Sequence, residues 1–143
     1  MKHQIYLFAI LAAVIAIVTS CKKEDNSSSS NNASANISGI ITAGTWRVSY
    51  YHESGNDHTA NFSGYVFAFN SNGTMTATSS SGTTNGTWHV DDGNVNEFHM
   101  SIGSTSPLTD INNGWLIISQ TSTEIHMKDD NTLHDEELHF IKI

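Results

Sequence analysis

The stretch that decides the fold is residues 65–78, YVFAFNSNGTMTAT. Three aromatic residues alternate with smaller ones in Tyr65–Phe69, which is the two-residue period of a β-strand with one buried face. Asn70–Gly73 then supplies the residue types of a tight turn. Thr74–Thr78 resumes the alternation around Met75. These residues therefore predict an antiparallel hairpin.

The same period recurs through the rest of the domain and predicts eight strands. Eight short antiparallel strands in sequence favour an all-β, up-and-down β-barrel, because closure removes the exposed strand edges. No helical period follows Ile41, and residues 37–41 form at most one helical turn that plugs an end of the barrel. The predicted strands are Thr45–Tyr51, Tyr65–Phe69, Thr74–Thr78, Gly86–Val90, Glu97–Ile102, Trp115–Ser119, Glu124–Lys128 and Glu137–Ile143.

Alternation also predicts which side chains face the barrel interior. An eight-stranded barrel is wide enough either to hold one small ligand or to be filled by its own side chains. The predicted ligand-binding residues are Trp46, Tyr50, Tyr65, Phe67, Phe69, Trp88, Phe98 and Met100. The other predicted inward residues are Val48, Met75, Ile118, Ile125, Met127, Leu138 and Phe140. A plain packed core made of the same residues is the alternative.

A Gly-Thr-Trp sequence occurs twice, at Gly44–Trp46 and again at Gly86–Trp88. It resembles the Gly-x-Trp signature on the first strand of lipocalins and their calycin relatives, where the Trp closes the bottom of the barrel. Together with residues 62–74, 114–120 and 138–140, it makes residues 42–143 similar to small lipocalin-like lipoproteins of Bacteroidota. The resemblance implies an eight-stranded lipocalin-like barrel that carries a small hydrophobic molecule. The chain is shorter than larger lipocalins and lacks their C-terminal helix, which argues for a shallow barrel.

The region around Cys21 predicts the destination of the protein. Ile5–Val18 is apolar but shorter than the roughly 20 residues of a membrane-crossing helix, and it ends in Val-Thr-Ser-Cys. This resembles the lipobox of a bacterial lipoprotein signal peptide. The resemblance implies that residues 1–20 are removed and that Cys21 is diacylated, which gives stable membrane anchoring. An uncleaved membrane anchor is the alternative.

The residues after Cys21 refine this prediction. Lys22 in place of Asp resembles the sorting pattern of lipoproteins that leave the inner membrane, which implies an outer-membrane location. Lys23–Asp25 resembles a surface-export tag of Bacteroidota lipoproteins, and a periplasm-facing linker is the alternative. Residues 21–36 predict a flexible Ser/Asn-rich tether, and residues 37–143 predict one domain. The single cysteine excludes an intrachain disulfide.

The composition excludes several partners and activities. With 6 Lys and Arg against 14 Asp and Glu, the formal net charge is −8, which disfavours binding to nucleic acid. The sequence contains no glycine-rich phosphate loop and no Gly-x-Ser-x-Gly. We therefore expect no catalytic residues, no cofactor and no enzymatic activity.

Histidine and acidic residues are the remaining candidates for a site. Folding about the predicted turns places His89 opposite His99 and His126 opposite His139, within reach of a shared metal ion. The acidic residues of 129–137 offer oxygen atoms for Ca²⁺ but lack the spacing of a dedicated loop. A solvated polar face and a solvated turn are the simpler interpretations, so no metal site is predicted.

Three functions of different classes follow, of which the last, an uncharacterised enzyme or metal binder, requires converging histidine and acidic side chains. The first is a membrane-anchored lipoprotein that binds a small hydrophobic molecule in its barrel. The second is a tethered structural or protein-interaction domain, of unknown partner, with a filled barrel and an exposed aromatic patch around Tyr51, Phe62 or Trp115.

Overall fold

The computed structural model describes residues 36–91, 93 and 96–143. The predicted signal peptide, Cys21 and nearly all of the predicted tether lie outside these residues. The strands are β1 Thr45–Glu53, β2 Asn56–Asp57, β3 Val66–Phe69, β4 Thr74–Ser79, β5 Gly82–Val90, β6 Glu97–Ile102, β7 Gly114–Gln120, β8 Glu124–Asp129 and β9 Glu137–Lys142. Short 3₁₀ turns cover Thr59–Phe62 and Leu108–Ile111.

The strands form a closed antiparallel barrel. Each strand from β3 to β8 pairs with the next one along the chain, and β1 pairs with both β3 and β9. The two-residue β2 pairs only with the end of β1, so eight strands make up the wall. This confirms the predicted eight-stranded up-and-down β-barrel.

The predicted hairpin at residues 65–78 is present. Phe69 pairs with Met75, and the amide of Gly73 donates to the carbonyl of Asn70 at 3.0 Å. Gly73 has a φ of +82°, which a residue with a side chain rarely adopts. The turn chemistry of the sequence therefore sets the register of this hairpin.

The short helix at residues 36–41 closes part of the core, as its isoleucines suggested. Ile37 and Ile41 are fully buried, and the indole Nε1 of Trp46 donates to the carbonyl of Ile41 at 2.8 Å. Trp88, in the second Gly-Thr-Trp, donates in the same manner to the carbonyl of Asn70 at 3.0 Å. Each Trp thus buries its apolar body and satisfies its one polar group. No helix within the described residues is long and apolar enough to cross a membrane.

In β1 and β7 the side chains that face the core differ from those predicted. The pairing of β1 with β9 shifts between Val48 and Tyr50, so Tyr51 faces the core and Tyr50 packs on His139 outside. The pairing of β7 with β8 shifts in the same way around Ile118, which is 55% exposed. The extra residue in β1 inverts the alternation that follows it, so the prediction that Tyr50 faces inward is wrong. The prediction for Ile118 is wrong because Trp115 and Ile117 are the core-facing residues of β7, which places Ile118 on the outer face.

The prediction that Tyr51, Phe62 or Trp115 forms an exposed aromatic patch is also wrong. Tyr51, Phe62 and Trp115 are at most 2% exposed. Tyr51 and Phe62 contact each other edge to face, with ring centroids 5.3 Å apart. The hydroxyl of Tyr51 donates to the carbonyl of Asp110, and Trp115 Nε1 donates to that of Ile111. All three side chains therefore belong to the core.

Candidate functional sites

The predicted ligand-binding residues of the interior contact one another. Trp46, Phe67, Phe69, Trp88, Phe98 and Met100 are at most 6% exposed. The ring centroid of Phe69 lies 5.9 Å from those of Trp88 and Phe98, and those two rings are 5.5 Å apart. These distances are ordinary for packed aromatic pairs. The rings predicted to line a cavity therefore occupy much of the interior themselves.

Tyr65, another predicted ligand-binding residue, lies at an accessible groove. β1 and β3 pair only at Thr45 with Ala68 and at Trp46 with Phe67. Beyond Trp46 the two strands separate. The gap forms a groove of about 370 Å³ lined by residues 47–48, 59–60, 62–66 and 143. We call it the β1–β3 groove.

The 3₁₀ turn at Thr59–Phe62 holds the two strands apart. The hydroxyl of Thr59 accepts from the amide of Tyr51 at 2.8 Å, and the amide of His58 donates to the carbonyl of Tyr51 at 2.8 Å. These bonds occupy the edge of β1 that would otherwise continue the ladder with β3. The groove is therefore a consequence of this inserted turn.

The β1–β3 groove combines an apolar floor with one positive charge. Val48 and Phe62 are 5% and 2% exposed and belong to the core, and Ile143 at the rim is 58% exposed. Arg47, the single arginine of the sequence, is exposed at the same rim. It forms no ion pair with any residue that the structure describes. Neither Arg47 nor Phe62 was predicted to bind a ligand, since no local pattern in the sequence shows where two strands separate.

A second candidate site lies where β8 ends and β9 begins, and we call it the acid–histidine cluster: Asp129, His134 and Glu136. Asp129 is 2% exposed, although it carries a carboxylate. Its Oδ2 lies 3.0 Å from Nδ1 of His134, and Oε1 of Glu136 lies 3.9 Å from the same nitrogen. The donor atoms of the three side chains lie within 4.8 Å of one another.

Hydrogen bonds hold Asp129 in its ionised form. Burial alone would raise its pKa, but the backbone amide of Asn131 at 2.6 Å, His134 and the side-chain amide of Asn113 at 2.7 Å outweigh burial. The pKa of Asp129 is therefore below its ordinary value. For Glu136, burial and then the charges of Asp129 and Glu53 raise the pKa.

Further acidic and histidine side chains continue the cluster along the sheet. Asp91, Glu97 and His99 form a second trio with donor atoms within 4.8 Å, and His99 Nε2 lies 3.0 Å from Glu97 Oε1. Burial and then contacts with Asp129 and Glu97 raise the pKa of Asp130. Gly114 lies between Asp130 and His99. A Cβ at this position would come within 2.6 Å of Asp130 Oδ2 and 3.0 Å of His99 Cε1, so glycine leaves room for both side chains.

The two histidines of each predicted pair lie opposite each other in the sheet. His89 pairs with His99 and His126 with His139. Their rings stack nearly parallel, with centroids 4.6 Å and 3.9 Å apart. Nitrogen lone pairs lie in the ring plane, so two parallel rings do not point them at one ion. The register is confirmed, but the stacking disfavours a shared metal ion.

Comparison with known proteins identifies the fold. No protein-family profile matches the sequence, and no curated protein gives a significant match. The structure is similar to the crystal structure of a DUF4847 family protein from Bacteroides vulgatus ATCC 8482, determined at 1.00 Å. The TM-score is 0.54 at 18% identity, over 73% of this chain and 96% of that one. At this identity the likeness shows the fold alone, a β-barrel of the kind found in a Bacteroides protein.

Proposed function

We propose that this protein is a lipid-anchored lipoprotein of the cell envelope whose lipocalin-like barrel binds a small hydrophobic molecule in the β1–β3 groove. The observation that carries the binding proposal is the groove itself, which places buried apolar side chains beside Arg47, an arginine without an ion pair among the described residues. Its volume of about 370 Å³ lies within the roughly 300–1,000 Å³ of small-molecule sites. The anchoring proposal rests on the lipobox that ends at Cys21.

The lining of the groove indicates the class of ligand. Val48, Phe62 and Ile143 suit an alkyl or ring portion, and each buried CH₂ contributes about 0.8 kcal/mol. The guanidinium of Arg47 suits a carboxylate, which it can bind through two parallel hydrogen bonds. We therefore propose an amphipathic carboxylate, such as a fatty acid, with its head at Arg47.

The anchor supports this choice of ligand. A diacylated Cys21 on a flexible tether would keep the barrel close to a membrane, where hydrophobic molecules are concentrated. We propose the outer membrane as its location, with the domain either in the periplasm or on the cell surface. An envelope protein in this position could collect or deliver such molecules at the membrane surface.

A photoreactive fatty acid tests the binding proposal. The full chain is reconstituted in lipid vesicles, the diazirine-bearing fatty acid is added and activated, and cross-linked peptides are mapped by mass spectrometry. We expect labelling of residues 59–66 and 47–48, the two segments that line the groove.

Two matched variants separate charge recognition from non-specific labelling. Arg47→Gln should reduce labelling about tenfold, because a hydrogen bond to a charged group contributes about 1.5–3 kcal/mol. Lys128→Gln removes a positive charge on β8, outside the groove lining, and should leave labelling unchanged. Labelling that spreads over the barrel, or that both variants reduce equally, would contradict the proposal.

The filled interior favours a second candidate, a tethered structural or protein-interaction domain. The buried rings of Phe69, Trp88 and Phe98 contact one another as in an ordinary core. If the fatty acid labels no part of the chain above background, this second function becomes the better one.

A further inference from the structure

The acid–histidine cluster concentrates negative charge around a buried carboxylate. Asp129 is nearly inaccessible, and the Glu136 side chain is 16% exposed. Within the described part of the chain, the ion pairs of these two side chains involve only His134. Asp130, which is itself exposed, adds a further carboxylate in contact with Asp129. Neighbouring buried charges of one sign are unfavourable without an opposite charge, so a bound cation would stabilise this arrangement.

The separations of the donor atoms fit one small cation. Zn²⁺ binds His nitrogen and carboxylate oxygen at about 2.0–2.2 Å, so a tetrahedral site holds its ligand atoms about 3.4 Å apart. His134 Nδ1 lies 3.0 Å from Asp129 Oδ2 and 3.9 Å from Glu136 Oε1, one on either side of that value. The third separation, between donor atoms of Asp129 and Glu136, is at most 4.8 Å, so all three donor atoms lie near the spacing of one coordination sphere.

We propose that Asp129, His134 and Glu136 bind one divalent transition-metal ion of the Zn²⁺ type, with water completing the coordination. The imidazole nitrogen decides the class of metal, because Ca²⁺ and Mg²⁺ are bound by oxygen ligands. This site differs from the oxygen-only Ca²⁺ site considered from the sequence, since it uses His134.

Neighbouring groups already orient the ligands. The side-chain amide of Asn113 and the backbone amide of Asn131 donate to the two oxygens of Asp129 at 2.7 Å and 2.6 Å. Such bonds fix a ligating carboxylate in place. Metal binding at Nδ1 requires the proton of His134 on Nε2, which now lies 3.3 Å from the side-chain nitrogen of Asn131. In that tautomer Nε2 and the Asn131 side-chain nitrogen are both donors. The exchange therefore loses the His134–Asp129 hydrogen bond and requires the Asn131 side chain to turn away.

The position of the ligands gives the metal a structural role. Asp129 is the last residue of β8, and Glu136 directly precedes β9, so the ion would join the two ends of the connecting loop. A ligand that binds only the folded chain stabilises it by mass action. We therefore expect Zn²⁺ to clamp the hairpin that brings β9 to β1.

Calorimetric titration of the full, untagged chain in mild detergent with Zn²⁺ alone tests this proposal. We expect saturable binding, and His134→Ala should abolish one site or weaken it at least about tenfold. His134 is 52% exposed, so the substitution leaves the core intact. A parallel titration with Ca²⁺ should show weaker binding.

His126→Ala is the matched control, because His126 also lies beside a carboxylate, Glu124, at 3.6 Å but outside the cluster. It should bind Zn²⁺ like the unmodified chain. Zn²⁺ should also raise the melting temperature of the unmodified chain and of His126→Ala, but not of His134→Ala. Undiminished binding in His134→Ala, equal losses in both variants, or tighter binding of Ca²⁺ would each overturn the proposal.

Discussion

Ser49 and Ile118 are the residues at which strict alternation ends. Each lies at a shift in strand pairing, on β1 and β7 respectively. The sequence around each of them is compatible with either alternate set of side chains facing the core. Tyr50 and Tyr51 are chemically alike, and Leu116 to Ile118 are all aliphatic. Facing could therefore be predicted where one phase alone is apolar, as in Glu97–Ile102, but not beside a bulge.

At the scale of single residues, the burial of Tyr51 can be tested through the pH dependence of stability. Burial, and then the negative charges of Glu53, Glu136 and Asp110, raise the pKa of Tyr51 above its ordinary 10.0. As the pH rises past 10, the unfolded chain ionises this phenol before the folded chain does, so the free energy of unfolding falls. Tyr51→Phe should lower the free energy of unfolding by about 1 kcal/mol at neutral pH, because the hydrogen bond to Asp110 is lost. Between neutral and alkaline pH it should lose less of this free energy than the unmodified chain does.

Urea unfolding at neutral and alkaline pH measures both effects. Tyr50→Phe is the matched control, because Tyr50 packs outside on His139, and it should follow the unmodified chain at every pH. Parallel alkaline losses in Tyr51→Phe and the unmodified chain would show that Tyr51 does not govern this dependence.

At the scale of elements, strands and turns with strong local chemistry were predictable. Most strands end close to their predicted bounds, but β5 begins at Gly82 and not at the predicted Gly86. The register that brings His89 to His99 followed from the predicted turn. The β1–β3 groove was not predictable, because it depends on where the Thr59–Phe62 turn inserts between two strands. His134 was missed for a similar reason, since it lies in a loop where spacing does not determine position.

Gly86 tests the packing of two such elements. A Cβ at Gly86 would lie 2.5 Å from the carbonyl oxygen of Ser101 and 2.7 Å from Cβ of Ile102 on the neighbouring strand. Gly86→Ala must therefore push β5 and β6 apart, and we expect a loss of about 1–3 kcal/mol. Thermal or urea unfolding measures the change.

Gly39→Ala is the comparison for that experiment. Gly39 lies in the helix at residues 36–41, and nothing lies within 4 Å of a Cβ added there. Alanine favours the helix by up to about 1 kcal/mol over glycine. The two variants should therefore shift stability in opposite directions, and a neutral Gly86→Ala would mean that β5 and β6 are less closely packed than described.

At the scale of the whole molecule, the period of two and the count of strands were enough to predict a closed barrel. The ladder from β3 through β9 and back to β1 confirms that prediction. Whether such a barrel is hollow depends on side-chain volume, which alternation does not measure. The contacts among Phe69, Trp88 and Phe98 show how far the aromatic residues fill it.

The proposed anchor is tested on the whole chain. Cys21→Ala removes the thiol that would carry the diacylglyceryl group, so we expect loss of lipid labelling and loss of the protein from the outer-membrane fraction. Metabolic labelling with palmitate, followed by membrane fractionation, measures both. Ser20→Ala keeps a small residue before the cysteine and should behave as the unmodified protein. A Cys21→Ala chain of mature length that stays with the outer membrane would exclude the lipobox.

The pairing of β1 with β9 has a consequence for the order of events during folding. Trp46 pairs with Lys142, so one of the first residues of the barrel finds its partner in the last strand. Until β9 docks, β1 and β8 each present an unsatisfied edge that another chain could join. A chain cut short within β9 would therefore keep a barrel open along its length, and we expect it to aggregate more readily than the closed barrel.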